Sequence, residues 1–214
     1  MIGIPVGAGI AAAAGWQWSF VALAAGTAVA IGALASAVPR GRPAGTPPTL
    51  GEGLRVALDP RVGPILAATL VVQSFSLGAY AYAGQILHER LGWSTASLGL
   101  VGVLVGLGSV TGSLLGGRLT RSGLPGPTRT ALWIAVVGAG LGAFALSHSA
   151  VPALVALFVW FVGSGGFVTA QQTALALAAG DRRASASAWN TSAMHAGTAI
   201  GVFVLGTVIA GANG

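Results

Sequence analysis

Residues 151–178 read VPALVALFVWFVGSGGFVTAQQTALALA, and this stretch contains no charged side chain. The hydrocarbon core of a bilayer is about 30 Å thick, so an α-helix needs roughly 20 mainly apolar residues to cross it. The stretch therefore predicts a transmembrane helix. Five further stretches have the same character: residues 18–38, 62–87, 95–115, 131–146 and 185–210.

The composition of the whole chain favours a membrane protein. Of its 214 residues, 54% are hydrophobic and 7% are charged, whereas about 25% are charged in a soluble domain. Strands of a membrane barrel alternate polar and apolar residues over about ten positions, but these apolar runs are continuous. Residues 1–15 are apolar and too short to cross alone, which indicates the second half of a further helix. We predict an all-α integral membrane protein, a helical bundle of six full transmembrane helices plus an N-terminal partial one.

The polar residues argue against several function classes. The net charge is +6, but the arginines are scattered among apolar runs, whereas nucleic-acid binding needs a clustered basic patch. The chain has no cysteine, which excludes disulfides and cysteine-ligated metal sites. No Ser-His-Asp arrangement, metal-ligand cluster or phosphate-binding loop is visible. We therefore expect no enzyme, no cofactor, no bound metal and no nucleic-acid partner.

The arginines predict an orientation in the membrane. Nine of the ten lie in the loops of residues 39–61, 117–130 and 180–183, and the loops between these hold only Arg90. Because short cytoplasmic loops are enriched in arginine, we expect the arginine-rich loops of this multi-pass protein to be cytoplasmic. An alanine- and glycine-rich chain without lysine indicates a bacterial gene, and hence the bacterial inner membrane.

The segment of residues 39–61 is the longest polar connection and the one candidate domain boundary. It begins as a proline- and glycine-rich linker. Leu50, Leu54 and Leu58 then follow at intervals of four, which predicts a short helix with an apolar stripe. Such a helix lies on the membrane surface or is a solvated connector, and the spacing leaves both open.

Glycines recur at intervals of four within the predicted spans. In membranes this spacing lets helices approach closely. The pairs and triplets are Gly3 with Gly7, Gly108 with Gly112 and Gly116, Gly138 with Gly142, and Gly197 with Gly201. Pro5, between Gly3 and Gly7, predicts a kink inside a helix. The pattern indicates a tightly packed bundle, whether its helices slide or stay fixed.

Three stretches resemble one family of membrane transporters. Residues 3–20, GIPVGAGIAAAAGWQWSF, carry Gly3, Pro5 and Gly7 as a G-x-P-x-G motif; residues 79–99 read AYAYAGQILHERLGWSTASLG; and residues 187–201 read SAWNTSAMHAGTAIG. In this order they resemble spans five, seven and eleven of the Major Facilitator Superfamily, in its drug and sugar efflux branch of proton antiporters. Residues 116–130 resemble a degenerate loop motif of that family, but Arg121 stands where the family has an aspartate.

The resemblance implies a fold, a division into domains and a function. Residues 1–38 would end an N-terminal bundle, residues 39–61 would be the cytoplasmic linker, and residues 62–214 would form a C-terminal bundle of spans seven to eleven. The chain would be truncated, and its partners would be the lipid bilayer, a small-molecule substrate, protons and the missing N-terminal helices of the same transporter. The implied function is proton-coupled efflux of a drug or sugar by alternating access. The alternative is a non-transporting membrane remnant or interaction subunit derived from such a transporter.

Candidate substrate contacts are polar residues inside the spans. His195 is the one ionisable residue within a predicted span, and such a residue is by default a functional hypothesis; Thr191 and Thr198 share its helix face. A histidine changes charge near neutral pH, so His195 would couple protons or bind substrate, or else it is neutral and bonded to a neighbouring helix.

A second set of candidates lies on three spans. Gln73, Ser76 and Tyr80 share a face of a helix that the resemblance places along the central cavity, with interhelical hydrogen bonding as the alternative. Further candidates lie toward the cytoplasmic ends of the last two spans, where they would line the inner vestibule or only pack against neighbouring helices: Gln171, Gln172, Trp189 and Asn190.

Overall fold

The computed structural model describes residue 10, residues 14–37 and residues 49–212 of the chain. These residues form helices and contain no strand. The helices are α1 (Trp16–Ala37), α2 (Leu50–Ala57), α3 (Gly63–Leu91), α4 (Thr95–Thr120), α5 (Gly126–Leu146), α6 (Ala150–Ala179) and α7 (Arg183–Ala212), with a 3-10 turn at Gly180–Arg182.

The prediction of an all-α membrane protein is confirmed. Five stretches of the described chain are helical, long and apolar enough to cross a membrane, and the last of them, residues 150–211, contains both α6 and α7. The Gly3, Pro5 and Gly7 motif and most of the predicted partial helix lie outside the described residues.

Local sequence signals account for where several helices begin and end. Thr49 accepts a hydrogen bond from the amide of Glu52, and the Glu52 carboxylate accepts one from the amide of Thr49, which is a capping box at the start of α2. Proline occupies the first turn of α3 and of α5, where a missing amide hydrogen removes no helical bond. Gly92 ends α3 with a φ of 65°, a conformation that glycine adopts without steric cost.

Contacts divide the chain into two units. The first comprises residues 1–47 and 94–103, and the second residues 48–93 and 104–214. In the first unit, α1 exposes large apolar side chains along its described length, among them Phe20, Leu23 and Val29. In water such a surface would be unfavourable, so it suits a bilayer or another helix.

In the second unit, glycines allow close approach of helix backbones. Helix α3 packs extensively against α7, and α5 packs extensively against α6. A Cβ atom added at Gly201 of α7 would collide with the Ser74 carbonyl of α3, and one at Gly112 of α4 would collide with the Val162 carbonyl of α6. These crossings therefore require glycine.

The glycine ladders differ in how they are used. Gly108 and Gly116 also face α6, and Gly197 faces the Leu70 carbonyl of α3. The expectation of packing at Gly138 and Gly142 is wrong for the described chain, since no atom of it lies within 4 Å of a Cβ at either position. Helix α5 instead contacts Trp160 through Gly140, because Gly140 lies on the inward face of the helix.

The short helix α2 occupies part of the linker segment. Its Val56 is 3% exposed and belongs to a buried hydrophobic cluster. The other members are Val62, which is the N-cap of α3, Leu66 of α3, Leu175 and Ala179 of α6, and Ala186 of α7. The three leucines at intervals of four face away from this cluster and are exposed. The proposed division of the chain at residues 38 and 62 stays a prediction.

Candidate functional site

A polar stripe runs along the face of α3 that meets α6. Its members are Thr69, Gln73, Ser76 and Tyr80, at intervals of four, three and four, which an α-helix brings to one side. Thr69, Gln73 and Ser76 are buried and Tyr80 is half-buried. Polar side chains enclosed in an apolar bundle need partners, so the partners define what the stripe does.

Ser76 lies at the centre of a small hydrogen-bonded group between α3 and α6. The Trp160 Nε1–H donates to Ser76 Oγ at 2.8 Å. Ser76 Oγ and Ser164 Oγ are 2.9 Å apart and share a hydrogen bond. The serine hydroxyl can accept from the indole and donate to the second serine, so the group is internally satisfied.

Aromatic rings surround this group toward the end of α3. The edge of the Tyr80 ring meets Phe161 with centroids 4.9 Å apart, and it meets Trp160 with centroids 6.5 Å apart. Trp160 also contacts Phe144 of α5, with centroids 5.9 Å apart. Offset and edge-on aromatic contacts of this kind are favourable, and they hold the Tyr80 ring against the bundle interior.

A second polar group joins α3, α6 and α7. The Thr69 hydroxyl donates to Asn190 Oδ1 at 2.8 Å. Gln171 Nε2 donates to the Ile65 carbonyl at 3.2 Å and lies 3.5 Å from Thr69 Oγ1. All three side chains are buried, so this group fastens three helices at one level of the bundle.

Gln73 lies between the two polar groups and belongs to neither. Its side chain is 5% exposed, yet its amide has no hydrogen-bond partner among the described residues. The Tyr80 hydroxyl likewise has no hydrogen-bond partner among the described residues. Gln73 and Tyr80 are therefore the members of the stripe with free hydrogen-bonding capacity inside the bundle.

Besides Gln73 and Tyr80, the predicted site residues fall into two environments. Ser76, Gln171 and Asn190 are buried and bonded to other helices, which for Ser76 is the alternative of interhelical hydrogen bonding. Gln172 and His195 are exposed on the described chain. No hydrogen bond to His195 occurs within the part of the chain that the structure describes, so the neighbouring-helix partner considered for it is not found there.

Sequence reasoning missed three residues that complete these groups. Thr69 lies four residues before Gln73 and so on the same helix face. The spacing that grouped Gln73, Ser76 and Tyr80 could therefore have identified it. Trp160 and Ser164 lie in an apolar run with the sequence WFVGSGG. Nothing in that run marks which of its faces meets α3.

Charged residues hold one end of the bundle together. The Arg182 Nη2 atom lies 2.7 Å from Asp59 Oδ2, which joins the start of α3 to the turn between α6 and α7. The backbone N–H of Arg61 donates to Asp59 Oδ1 at 2.9 Å. The hydrogen bond from the Arg61 backbone lowers the pKa of the Asp59 carboxyl most, and the hydrogen bond from the Arg182 side chain lowers it further. At the opposite end, Arg90 donates to the Ala145 carbonyl.

The described fold is that of a polytopic α-helical membrane protein with polar side chains enclosed between its spans. A model of the Major Facilitator Superfamily matches residues 1–202. The chain belongs to this superfamily, and the resemblance drawn from its motifs is confirmed.

Two relatives are similar over nearly the whole chain. The inner membrane transport protein YdhP of Escherichia coli (strain K12) is 25% identical over 212 residues, which are 99% of this chain and 54% of that protein. The uncharacterized MFS-type transporter YceJ of Bacillus subtilis (strain 168) is 23% identical over 210 residues, which are 96% of this chain and 53% of that protein. The chain spans about half the length of the curated relatives it matches.

Proposed function

We propose that this chain forms part of a carrier that moves a small molecule across the membrane by alternating access, with proton-coupled efflux of a drug or sugar as its reaction. The observation that carries the proposal is the family match over residues 1–202. The Escherichia coli relative, an inner membrane transport protein by name, supports the same proposal. Alternating access requires two helical bundles that move around a site near the membrane midplane, so the rest of such a transporter would be a partner of this chain.

The arrangement of polar groups supports specific roles. Gln73 keeps an unused amide inside the bundle, and Tyr80 lies beside it on the same helix face. Gln172 and His195 are accessible on the described chain. In the proposed carrier Gln73, Tyr80 and Gln172 contact substrate, and His195 accepts and releases the coupled proton. Ser76, Gln171 and Asn190 shape the site through their interhelical bonds.

The arginine distribution supports an orientation in which the linker, the turn between α4 and α5 and the turn between α6 and α7 face the cytoplasm. Arg61 and Arg182 lie at the same end of the second unit, since both contact Asp59. Cytoplasmic placement of this end follows the bias of arginine toward inside loops.

A second candidate function is a non-transporting interaction subunit. The observation that favours it is that Ser76, Gln171 and Asn190 bond to neighbouring helices, so these polar side chains hold the bundle together. A chain of this kind would bind lipid and other helices without moving substrate.

The test is an efflux assay in inside-out membrane vesicles that contain the chain together with the rest of the proposed transporter. After a proton gradient is formed, lipophilic drugs and sugars are added singly, and a pH-sensitive dye reports proton release. An antiporter dissipates the gradient when its substrate is added. We expect His195→Ala to abolish this response, because the proposed carrier then lacks the side chain that accepts and releases the coupled proton.

The matched control is His148→Ala, which removes a histidine from the turn between α5 and α6. It should leave the response unchanged. If His195→Ala and the unchanged chain respond alike, His195 has no part in coupling. If no compound elicits a response although the protein is correctly inserted, the chain is better described as a non-transporting interaction subunit.

A further inference from the structure

A crevice of about 470 Å³ opens where α3, α5 and α6 meet, at the end of the bundle that holds Arg61. Its walls are mainly aliphatic. The lining residues that matter are Arg61, Ile65, Ala68, Ile134, Gln171 and Ala174. The volume lies in the range of small-molecule and cofactor sites, roughly 300 to 1,000 Å³. Neither of the two hydrogen-bonded polar groups described above occupies the space of the crevice.

The mouth of the crevice is positively charged. Arg61 is exposed, and its guanidinium makes no hydrogen bond or ion pair with any residue that the structure describes. The nearby Asp59 carboxylate already pairs with Arg182 at 2.7 Å. These three side chains sum to one positive charge, which is available to an anion.

The first turn of α5 adds a backbone donor at the same mouth. Gly126, its first residue, lines the crevice and no side chain caps this helix, whereas the neighbouring Pro127 has no N–H. The first amides of a helix lack partners within it, and together with the helix dipole they favour a negatively charged group.

The Gln171 carboxamide, a member of the second polar group, lies deeper in the wall. Gln171 is 3% exposed, and its Oε1 atom has no partner in the described chain. Its Nε2 atom donates to Ile65 O, and its contact with Thr69 is long at 3.5 Å. The carboxamide thus keeps hydrogen-bonding capacity toward the crevice, about one helical turn inward from Arg61.

We propose that this crevice binds one anionic phospholipid. The phosphate contacts Arg61 and the first turn of α5, the glycerol ester region reaches Gln171, and an acyl chain lies along Ile65, Ala68 and Ile134. The crevice opens beside three helices that cross the membrane, with its arginine where those helices enter the head-group layer. Basic pockets between transmembrane helices bind anionic lipid head groups in this way. This inference does not depend on transport activity.

The test uses the purified chain in detergent with phosphatidylglycerol or phosphatidylcholine of the same acyl chains. Retained lipid is counted by native mass spectrometry, and thermal stability is followed with each lipid. We expect one phosphatidylglycerol to be retained and the apparent melting temperature to rise about 2–4 °C more with it than with phosphatidylcholine. Arg61→Gln should abolish both effects.

The matched control is Arg121→Gln, which removes an exposed arginine from the turn between α4 and α5, outside the crevice. It should respond like the unchanged chain. Ala68→Phe fills the proposed acyl path without removing charge, and it should also lose the lipid effect, whereas Ala67→Phe on the neighbouring exposed position should keep it.

Two outcomes would overturn the proposal. One is equal retention of the two lipids by the unchanged chain, with no change in Arg61→Gln. The other is full stabilisation by soluble glycerol phosphate, which would show that the site takes a phosphate without an acyl chain. Native mass spectrometry of Arg61→Gln decides the question even if Ala68→Phe fails to fold.

Discussion

At the scale of single residues, a small number of buried hydrogen bonds between side chains joins the helices of the bundle. The Thr69 hydroxyl and the Asn190 amide bridge α3 and α7 at 2.8 Å, and Gln171 brings α6 to the same level. In a bilayer, helices gain little from hydrophobic burial against one another, so such bonds and close packing provide the association.

We predict that Thr69 and Asn190 are energetically coupled. In a double-mutant cycle of Thr69→Val and Asn190→Leu, the coupling should be about 0.6 kcal/mol and at most about 1.7 kcal/mol, the range known for such bonds in membranes. Unfolding of the purified chain by titration with denaturing detergent measures it. Thr191→Val serves as the control partner, because among the described residues its hydroxyl bonds only to the Ser187 carbonyl of its own helix. Additive effects of the first pair would contradict the prediction.

Neighbouring residues show how much of the site was predictable. Gln171 and Gln172 were both expected to line the site, yet Gln171 is buried and bonded while Gln172 is exposed. Successive residues point about 100° apart on a helix, so only one of them faces α3. Apart from Thr169 and Thr173, the residues around them are apolar on every face of the helix, so the sequence does not mark which face turns inward.

At the scale of helices, α6 is the element against which others are closely packed. Gly163 approaches Val137 of α5, Gly165 approaches Ser109 of α4, and Gly166 lies under the Trp133 ring of α5. The reciprocal contacts from α4 include Gly112 against Val162. A run of glycines on α6 thus lets two other helices reach its backbone.

We predict opposite effects for two glycine substitutions on α4. Gly112→Ala places a methyl group against the Val162 carbonyl and should destabilise the chain by about 1–3 kcal/mol, as overpacking does. Gly117→Ala meets no atom within 4 Å in the described chain, and should be neutral or stabilising because alanine favours helix over glycine by about 1 kcal/mol. Thermal unfolding in detergent measures both. A loss of stability at Gly117 as large as that at Gly112 would refute the packing argument.

At the scale of the whole molecule, orientation is the property on which the proposed carrier depends. The chain has no cysteine, so single cysteines can be introduced without background labelling. Ser122 and Asp181 lie in exposed turns next to the arginines, whereas Glu89 and Ser149 lie near the opposite ends of the spans.

We predict that a membrane-impermeant maleimide labels Glu89→Cys and Ser149→Cys in intact cells and spares Ser122→Cys and Asp181→Cys. Inside-out vesicles should show the reverse. This follows from the bias of arginine toward cytoplasmic loops. Labelling of Ser122→Cys and Asp181→Cys from different sides would exclude the proposed topology.

The amino-acid sequence alone determined that this protein is a bundle of membrane helices of the Major Facilitator Superfamily. Length, continuous hydrophobicity and ordered motifs are properties of the chain itself, and the bilayer permits few folds for them. Only the tertiary structure decided that Ser76 bonds to Trp160 and Ser164, that Thr69 bonds to Asn190, and that α5 packs through Gly140 rather than Gly138 and Gly142. The physical reason is that hydrophobicity directs a span into lipid without choosing which of its apolar faces meets a neighbour, and that choice depends on the shapes of two helices at once.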